Sequence, residues 1–332
     1  MRRLLLLGVL ALAACGPRIP PVPGKGGPAW IELTSEHFVV WTDAGEARAR
    51  VLVRDIEHLR QVVVGTAFRG AESQVRTFVI ALRDDDERNA FIGDVFSAMA
   101  SPPDGNLLKE PMIVLSASSN VEASDRIEAH ELVHAISHAI IRKQPRWFAE
   151  GMAKYYETVE IGDGTADLGR APTNRGEPMV IHHLESLPTI FACTTLSCTD
   201  YAFYATAWAL FTYLTNVHPD VLAHYEAVLA ETGDDARARQ EAFAGMSMDQ
   251  LTLDMNEWLA HGSHRVLHFN VSLQEPHITV RVIGDADVYA LRAFMTYEFV
   301  GNHDRVQRDL AAAQALDPHN QLAKTVADAL GR

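Results

Sequence analysis

The hydrophobic positions change period several times along the chain, and those changes divide it into segments. Trp30, Ile31 and Leu33, followed by Phe38, Val39, Val40 and Trp41, give residues 30–43 the pattern of extended structure. Over residues 47–64 the apolar positions Val51, Leu52, Ile56, Leu59, Val62 and Val63 recur at helical spacing. Residues 75–82 predict a strand, 84–99 a helix with an acidic first turn, 101–105 a loop and 112–115 a short buried strand. The pattern then turns mostly helical over 123–261, with loops at 162–178 and around Cys193 and Cys198. Residues 266–282 predict two strands about a turn at Gln274-Glu275-Pro276, and 288–330 are helical again. Strands and helices that alternate and then give way to helices make an α+β fold. It divides into a small α/β N-terminal part over 29–121, a mainly helical part over 122–262, a β-hairpin over 263–284 and a helical end over 285–332.

Residues 1–15 stand outside this pattern. Arg2 and Arg3 precede an apolar run from Leu4 to Ala14, too short to span a bilayer as a permanent helix. The ending Leu12-Ala13-Ala14-Cys15 resembles a bacterial lipobox, which implies a cleaved signal peptide and a lipidated Cys15. Several acyl chains on Cys15 would anchor the protein stably to a membrane. Gly16, rather than Asp, follows the Cys; by resemblance to Gram-negative sorting rules this implies the outer membrane. Residues 16–28, rich in Pro and Gly, read as a tether. Export would let Cys193 and Cys198 close a disulfide across four intervening residues; two free thiols are the alternative. The formal net charge of −14 argues against nucleic acid as a partner, because phosphate contacts need clustered Lys and Arg.

The chemistry concentrates between Asp125 and Tyr156. His130-Glu131-Leu132-Val133-His134 is an HExxH. Two His at i and i+4 lie on one helix face, so their imidazoles can converge on one ion, and Zn2+ is the expected metal. Glu131 is placed to face the open coordination position and take the proton of an activated water. Ile127, Leu132, Val133, Ile136 and Ile140 supply an apolar face, which gives the motif a helical context. A catalytic zinc needs a third protein ligand. The metzincin pattern fails, because Ile140 and Ser137 stand where it needs His and Gly, and His138 reads as a surface or supporting residue. Gln144-Pro145 ends the helix, and a second helix starting at Trp147-Phe148 would bring Glu150 back to the metal.

The segment Pro145-Arg146-Trp147-Phe148-Ala149-Glu150-Gly151-Met152-Ala153 resembles the Pro-x-Trp-Phe-x-Glu-Gly-x-Ala element of the peptidase MA-like family of exported bacterial proteins. These are gluzincins, in which that Glu is taken as the third ligand. Residues 30–40 are similar to the family's opening strand, and Tyr204-Ala205-Thr206-Ala207-Trp208 looks like its later Tyr-x-x-x-Trp helix. The likeness covers roughly residues 30–260, strongly at the metal motif and loosely elsewhere. It implies a zincin-type metallopeptidase domain with one zinc ion on His130, His134 and Glu150, and Glu131 as general base. It also implies Tyr204 as oxyanion donor, with Tyr155, Tyr156 and Tyr201 as rivals. In several gluzincins an acidic residue one turn after the Glu ligand orients a ligating His. Here that position is Lys154, so the carboxylate must come from elsewhere, with Glu157 or Glu128 at hand. Around Tyr297, Gly301, Ala313 and Pro318 the chain end resembles one tetratricopeptide-type helix pair, which implies a protein partner; a plain helical hairpin is the other reading.

The expected function is hydrolysis of peptide bonds in proteins or peptides of the cell envelope. The alternative is a zinc-containing lipoprotein that binds a partner and cleaves little. Strand 112–115, just before the metal helix, is expected to offer an edge to an extended peptide substrate. The Gly-rich stretch 162–176 is expected to act as a lid.

Overall fold

A computed structural model describes residues 19–68, 75–93, 98–118, 127–174, 177–178, 184–194 and 200–331. In chain order it holds β1 (Trp30–Thr34), β2 (Phe38–Thr42), α1 (Glu46–Thr66), β3 (Thr77–Leu82), α2 (Asp85–Ile92), β4 (Ala98–Ser101) and β5 (Met112–Ser116). The metal-motif region follows as α3 (Ile127–Ile140), α4 (Arg146–Tyr156), β6 (Glu160–Gly162), β7 (Thr165–Leu168), β8 (Thr173–Asn174) and β9 (Glu177–Pro178). Then come α5 (Leu187–Ala192), α6 (Tyr201–Val217), α7 (Pro219–Thr232), α8 (Asp235–Ala242), α9 (Met248–Ala260), β10 (Leu267–Asn270), β11 (Thr279–Ile283), α10 (Asp285–Met295), α11 (His303–Leu316) and α12 (Gln321–Leu330). The fold is α+β. Among the described residues no helix is long and apolar enough to cross a membrane.

The main sheet has the strand order β11-β1-β2-β3-β5-β4. Strands β2, β3 and β5 run parallel, and β1, β11 and β4 pair antiparallel to their neighbours. Both faces are covered, which explains why β3 and β5 read as continuous apolar runs rather than alternating ones. Leu33, Phe38, Val40, Val79, Ala81, Ile113 and Leu115 face α1 and α3, in a core continuous with α4 and α6. Trp30, Phe78, Ile80, Leu82, Met112 and Val114 pack with α10–α12 on the other side.

Several expectations are corrected. The helix expected over 84–99 ends at Ile92, because Gly93 takes φ +77°, a conformation that suits glycine and stops a helix; Ala98–Ser101 is instead the edge strand β4. Strand β5 has β3 on one side and β4 on the other, so it offers no free edge to a peptide. Residues 263–284 are not a hairpin. β10 pairs with β7 and β11 with β1, because Gln274 between them is held to α1 by two hydrogen bonds with the Gln61 side chain (2.7 and 2.9 Å). Of the stretch expected to be a lid, residues 162–168 belong to the hairpin β6–β7, which turns at Asp163-Gly164 and is fastened on its far side by β10, and residues 175–176 lie outside the described residues. The chain end is three helices rather than a hairpin. Val288, Leu291, Phe294, Val306, Leu310 and Val326 close one face of the sheet, so this end is part of the core. The second half of the expected tether is packed as well: Val22 is 1% exposed, and the Gly24 N–H donates to the Asp285 carboxylate. The signal peptide, Cys15 and residues 16–18 lie outside the described residues.

Candidate metal centre

Helix α3 turns its apolar positions Leu132, Val133 and Ile136 into the core beneath the sheet, which leaves His130 and His134 on the face toward α4. Its C-terminal end is closed by the Gln144 side chain, which donates to the Ile141 carbonyl (2.9 Å) and accepts from Ser137 Oγ (3.3 Å). Pro145, extended at φ −70° and ψ 150°, serves as the N-cap of α4. Helix α4 lies close against α6. A Cβ at Gly151 would stand 2.5 Å from the Ala207 carbonyl oxygen, so glycine beside Glu150 permits the approach.

That turn brings Glu150 to the two His. Nε2 of His130 and Nε2 of His134 are 3.1 Å apart, and Glu150 Oε2 is 3.3 and 3.4 Å from them. Three donors about 2.0–2.1 Å from one ion at tetrahedral angles stand about 3.3–3.4 Å apart, so the triangle has the size of a metal site. Among the described residues this is the one group of three or more His, Cys, Asp or Glu whose donor atoms gather within 4.8 Å. Burial opposes the charge of Glu150, but hydrogen bonds from His130 and His134 outweigh it and hold its carboxyl far below the usual range. For His130 burial acts downward, yet the hydrogen bonds to Glu150 and Glu157 push it up to about 9. So much negative charge around two imidazoles is an arrangement suited to a bound cation.

Glu157 lies just past the last turn of α4, buried, with Oε2 3.1 Å from His130 Nδ1 and 2.7 Å from Lys154 Nζ. It takes the orienting place for which the sequence offered Glu157 or Glu128. Glu131 points elsewhere than the triangle's Glu: its Oε2 accepts from the Ala100 N–H on β4 at 2.8 Å. Tyr204 is half-buried on α6. Burial, and then the charge of Glu150, raise its hydroxyl above the usual tyrosine range, and the charge of Arg146 opposes this. Its rivals are placed differently. Tyr155 is buried, the Tyr156 hydroxyl pairs with Thr66 Oγ1 at 2.7 Å, and Tyr201 is exposed at the start of α6. His138 is outside the donor set. Burial and the neighbouring His134 push it down to about 4, and it lines a cleft of about 310 Å³ with Pro102, Asp104, Arg142 and Lys143. Cys193 is disulfide-bonded, and Cys198 lies outside the described residues.

Two residues of this centre were not read from the sequence. Ala100 could not be, since it fell between a helix expected over 84–99 and a loop expected over 101–105, where no strand was read. Arg146, whose Nη2 donates to Glu150 Oε1 at 3.1 Å, carries a signal: it is a cation in the first turn of a helix. No protein-family model matches the chain, and no curated protein matches its sequence. The centre is therefore read from its own geometry.

Proposed function

We infer that this chain is a zinc-dependent metallopeptidase of the gluzincin type, acting on proteins or peptides of the cell envelope. The observation that carries the reading is the convergence of His130, His134 and Glu150 at tetrahedral spacing, with the remaining carboxylate of the motif, Glu131, turned toward a strand edge. A donor set of two imidazoles and one carboxylate fits zinc, and three protein ligands are the number that leaves a catalytic position open. An HExxH helix under a sheet, a Glu on the next helix and an edge strand passing the base also support the zincin-type architecture and the resemblance to the peptidase MA-like family.

When bound, zinc would polarise the scissile carbonyl and bring the pKa of a water toward neutrality. The chain's own residues do the rest. Glu157 accepts the Nδ1 proton of His130, which leaves Nε2 free to ligate. Glu131, steadied by the Ala100 N–H, takes the proton of the attacking water and delivers it to the leaving amine. The Tyr204 hydroxyl donates to the oxygen that gains charge. The edge of β4 that is unpaired among the described residues receives the substrate backbone, in the place expected of 112–115.

Three features favoured a non-catalytic binding lipoprotein: the missing acid at position 154, a tetratricopeptide-like tail and the lipid anchor at Cys15. Glu157 fills the first role and the helices of the second cover the sheet, so of the three only the anchor, outside the described residues, still favours that reading. The envelope location and the lipid anchor rest on residues 1–18.

The test uses a soluble chain starting at Gly16, because Val22 belongs to the core. Wild type and Glu131→Gln are compared for metal content and for cleavage of a peptide library. One zinc in both, with cuts by wild type alone, is the expected result. No zinc in wild type, or full cleavage by the variant, would refute the assignment.

A further inference from the structure

Arg146 stands where helix physics alone would not put it. It opens α4, in the turn whose free N–H groups repel a cation. Its pairing with Glu150 runs in the weaker order, the basic residue first and the acid four positions later. Its side chain is nevertheless only 16% exposed. Two contacts hold it there. Nη2 donates to Glu150 Oε1 at 3.1 Å, and the guanidinium sits 5.4 Å from the centre of the Phe203 ring; its charge also acts on the neighbouring Tyr204 hydroxyl, against the upward push of burial. Phe203 and Tyr204 belong to the first turn of α6, so one side chain ties α4 to α6 beside the metal centre.

The two oxygens of Glu150 are thereby divided. Oε2 faces both His Nε2 atoms, and Oε1 is taken by Arg146. A carboxylate released from the arginine can rotate and ligate through both oxygens, which fills the position a catalytic centre keeps open. We propose that Arg146 is a positioning residue that restricts Glu150 to ligation through one oxygen and aims the Tyr204 hydroxyl at the open side of the centre. The inference rests on the metallopeptidase reading. It asks for arginine in particular, whose planar fork can donate to Glu150 and Tyr204 together, whereas lysine offers a single point of charge.

The experiment loads the soluble chain from Gly16 with Co2+ alone, as wild type, Arg146→Gln and Arg146→Lys. Visible absorption of Co2+ is stronger at four-coordinate than at five-coordinate centres. The expected result is that Arg146→Gln melts like wild type and binds one Co2+, but absorbs more weakly. With zinc restored, its kcat falls on the order of 100-fold at unchanged KM. Arg146→Lys should recover only part of kcat, and it carries the same spectroscopic test if the Gln variant does not fold. Wild-type absorption and kcat in Arg146→Gln would overturn the inference. So would a folded variant that binds no Co2+, since Arg146 would then be needed for the ligand itself. A wild type whose absorption depends on Arg146 but which cleaves no peptide would leave the inference standing and remove the peptidase reading. A wild type that binds no Co2+ would remove both.

Discussion

Glu157→Gln keeps the shape of a side chain that ligates nothing and removes its charge. In the wild type Oε2 takes the His130 Nδ1 proton at 3.1 Å and pairs with Lys154 Nζ at 2.7 Å, with only 4% of the side chain exposed. Burial opposes ionisation of Glu157, but His130 first and Lys154 next outweigh it and hold its carboxyl below the usual range. The group is therefore a carboxylate across the neutral range, and the imidazole is oriented by a charge-assisted bond. The amide can still accept from Nδ1, but a neutral bond is about half as strong, and it can equally present its NH2. Loss of such a supporting partner costs about 10–100-fold in metal affinity, or about 1.4–2.7 kcal/mol. A second source of loss is repulsion from Lys154, left without its carboxylate one turn along α4 from Glu150. The double variant Lys154→Met/Glu157→Gln separates the two causes. If the carboxylate acts by orienting His130, the double variant binds zinc as weakly as the single one. If repulsion dominates, it recovers. Competition with a chromophoric chelator gives the affinities, and melting curves of the metal-free proteins control for folding. A Glu157→Gln affinity within about two-fold of wild type would refute the role given to Glu157.

Three further perturbations probe other parts of the molecule. Ala100→Pro removes the N–H that holds Glu131 at an edge position where no ladder bond is lost; zinc content should be unchanged while kcat falls by up to about 100-fold, and an unchanged kcat would show that the Ala100–Glu131 bond does not position the base. Gly151→Ala places a Cβ 2.5 Å from the Ala207 carbonyl and 3.0 Å from Phe211 Cβ, so a urea titration should show a loss of about 1–3 kcal/mol, and a stability equal to wild type would mean that α4 and α6 separate at no cost. Glu87, 1% exposed, is pushed up to about 8 by burial and by the charge of Asp43, with Arg83 and Arg292 opposing. Its folded pKa lies above its unfolded value, so its contribution is complete below about pH 4.5 and is lost as pH rises through 8, at up to about 1.4 kcal/mol per unit. Glu87→Gln should therefore gain on wild type in chemical denaturation as pH rises from 5 to 8.5, and parallel stability curves would contradict this.

The metal triangle was legible because every step is local. The spacing of His130 and His134 sets one helix face, Pro145 sets the break, and the aromatic pair Trp147-Phe148 marks the buried face of a helix that returns Glu150. Strands 30–34, 38–42 and 77–82 were legible for the same reason. What escaped depends on contacts distant in sequence. Nothing near residues 267–283 says that β10 and β11 belong to different sheets, because the cause is Gln61, more than two hundred residues earlier. Strand β4 is hidden behind an acidic helix start, and only Gly93 hints at the stop. The hairpin β6–β7 carries a local signal after all: Asp163-Gly164 is a favoured two-residue turn pair between short strands. The C-terminal helices have the pattern of a helical hairpin, and a pattern alone does not say that the apolar face is already taken by a sheet.

The position of β4 joins the fold to the proposed chemistry. The groups of a strand's backbone alternate sides, and the Ala100 N–H leaves the ladder for Glu131. Ala98 and Ala100 therefore present their remaining outward groups along the same edge, unpaired among the described residues, while β5 is closed in by β3 and β4. A substrate that pairs with this edge is set in register by the residue that also steadies the base, so its scissile bond and Glu131 share one reference point. Laid antiparallel to β4, the part of the peptide before that bond would run past Pro102 toward the cleft lined by His138, Arg142 and Lys143. Pairing of this kind needs the substrate backbone to be extended and unpaired over a few residues. The proposed peptidase would then cut unfolded or loop segments and spare helices, a selectivity set by the strand edge.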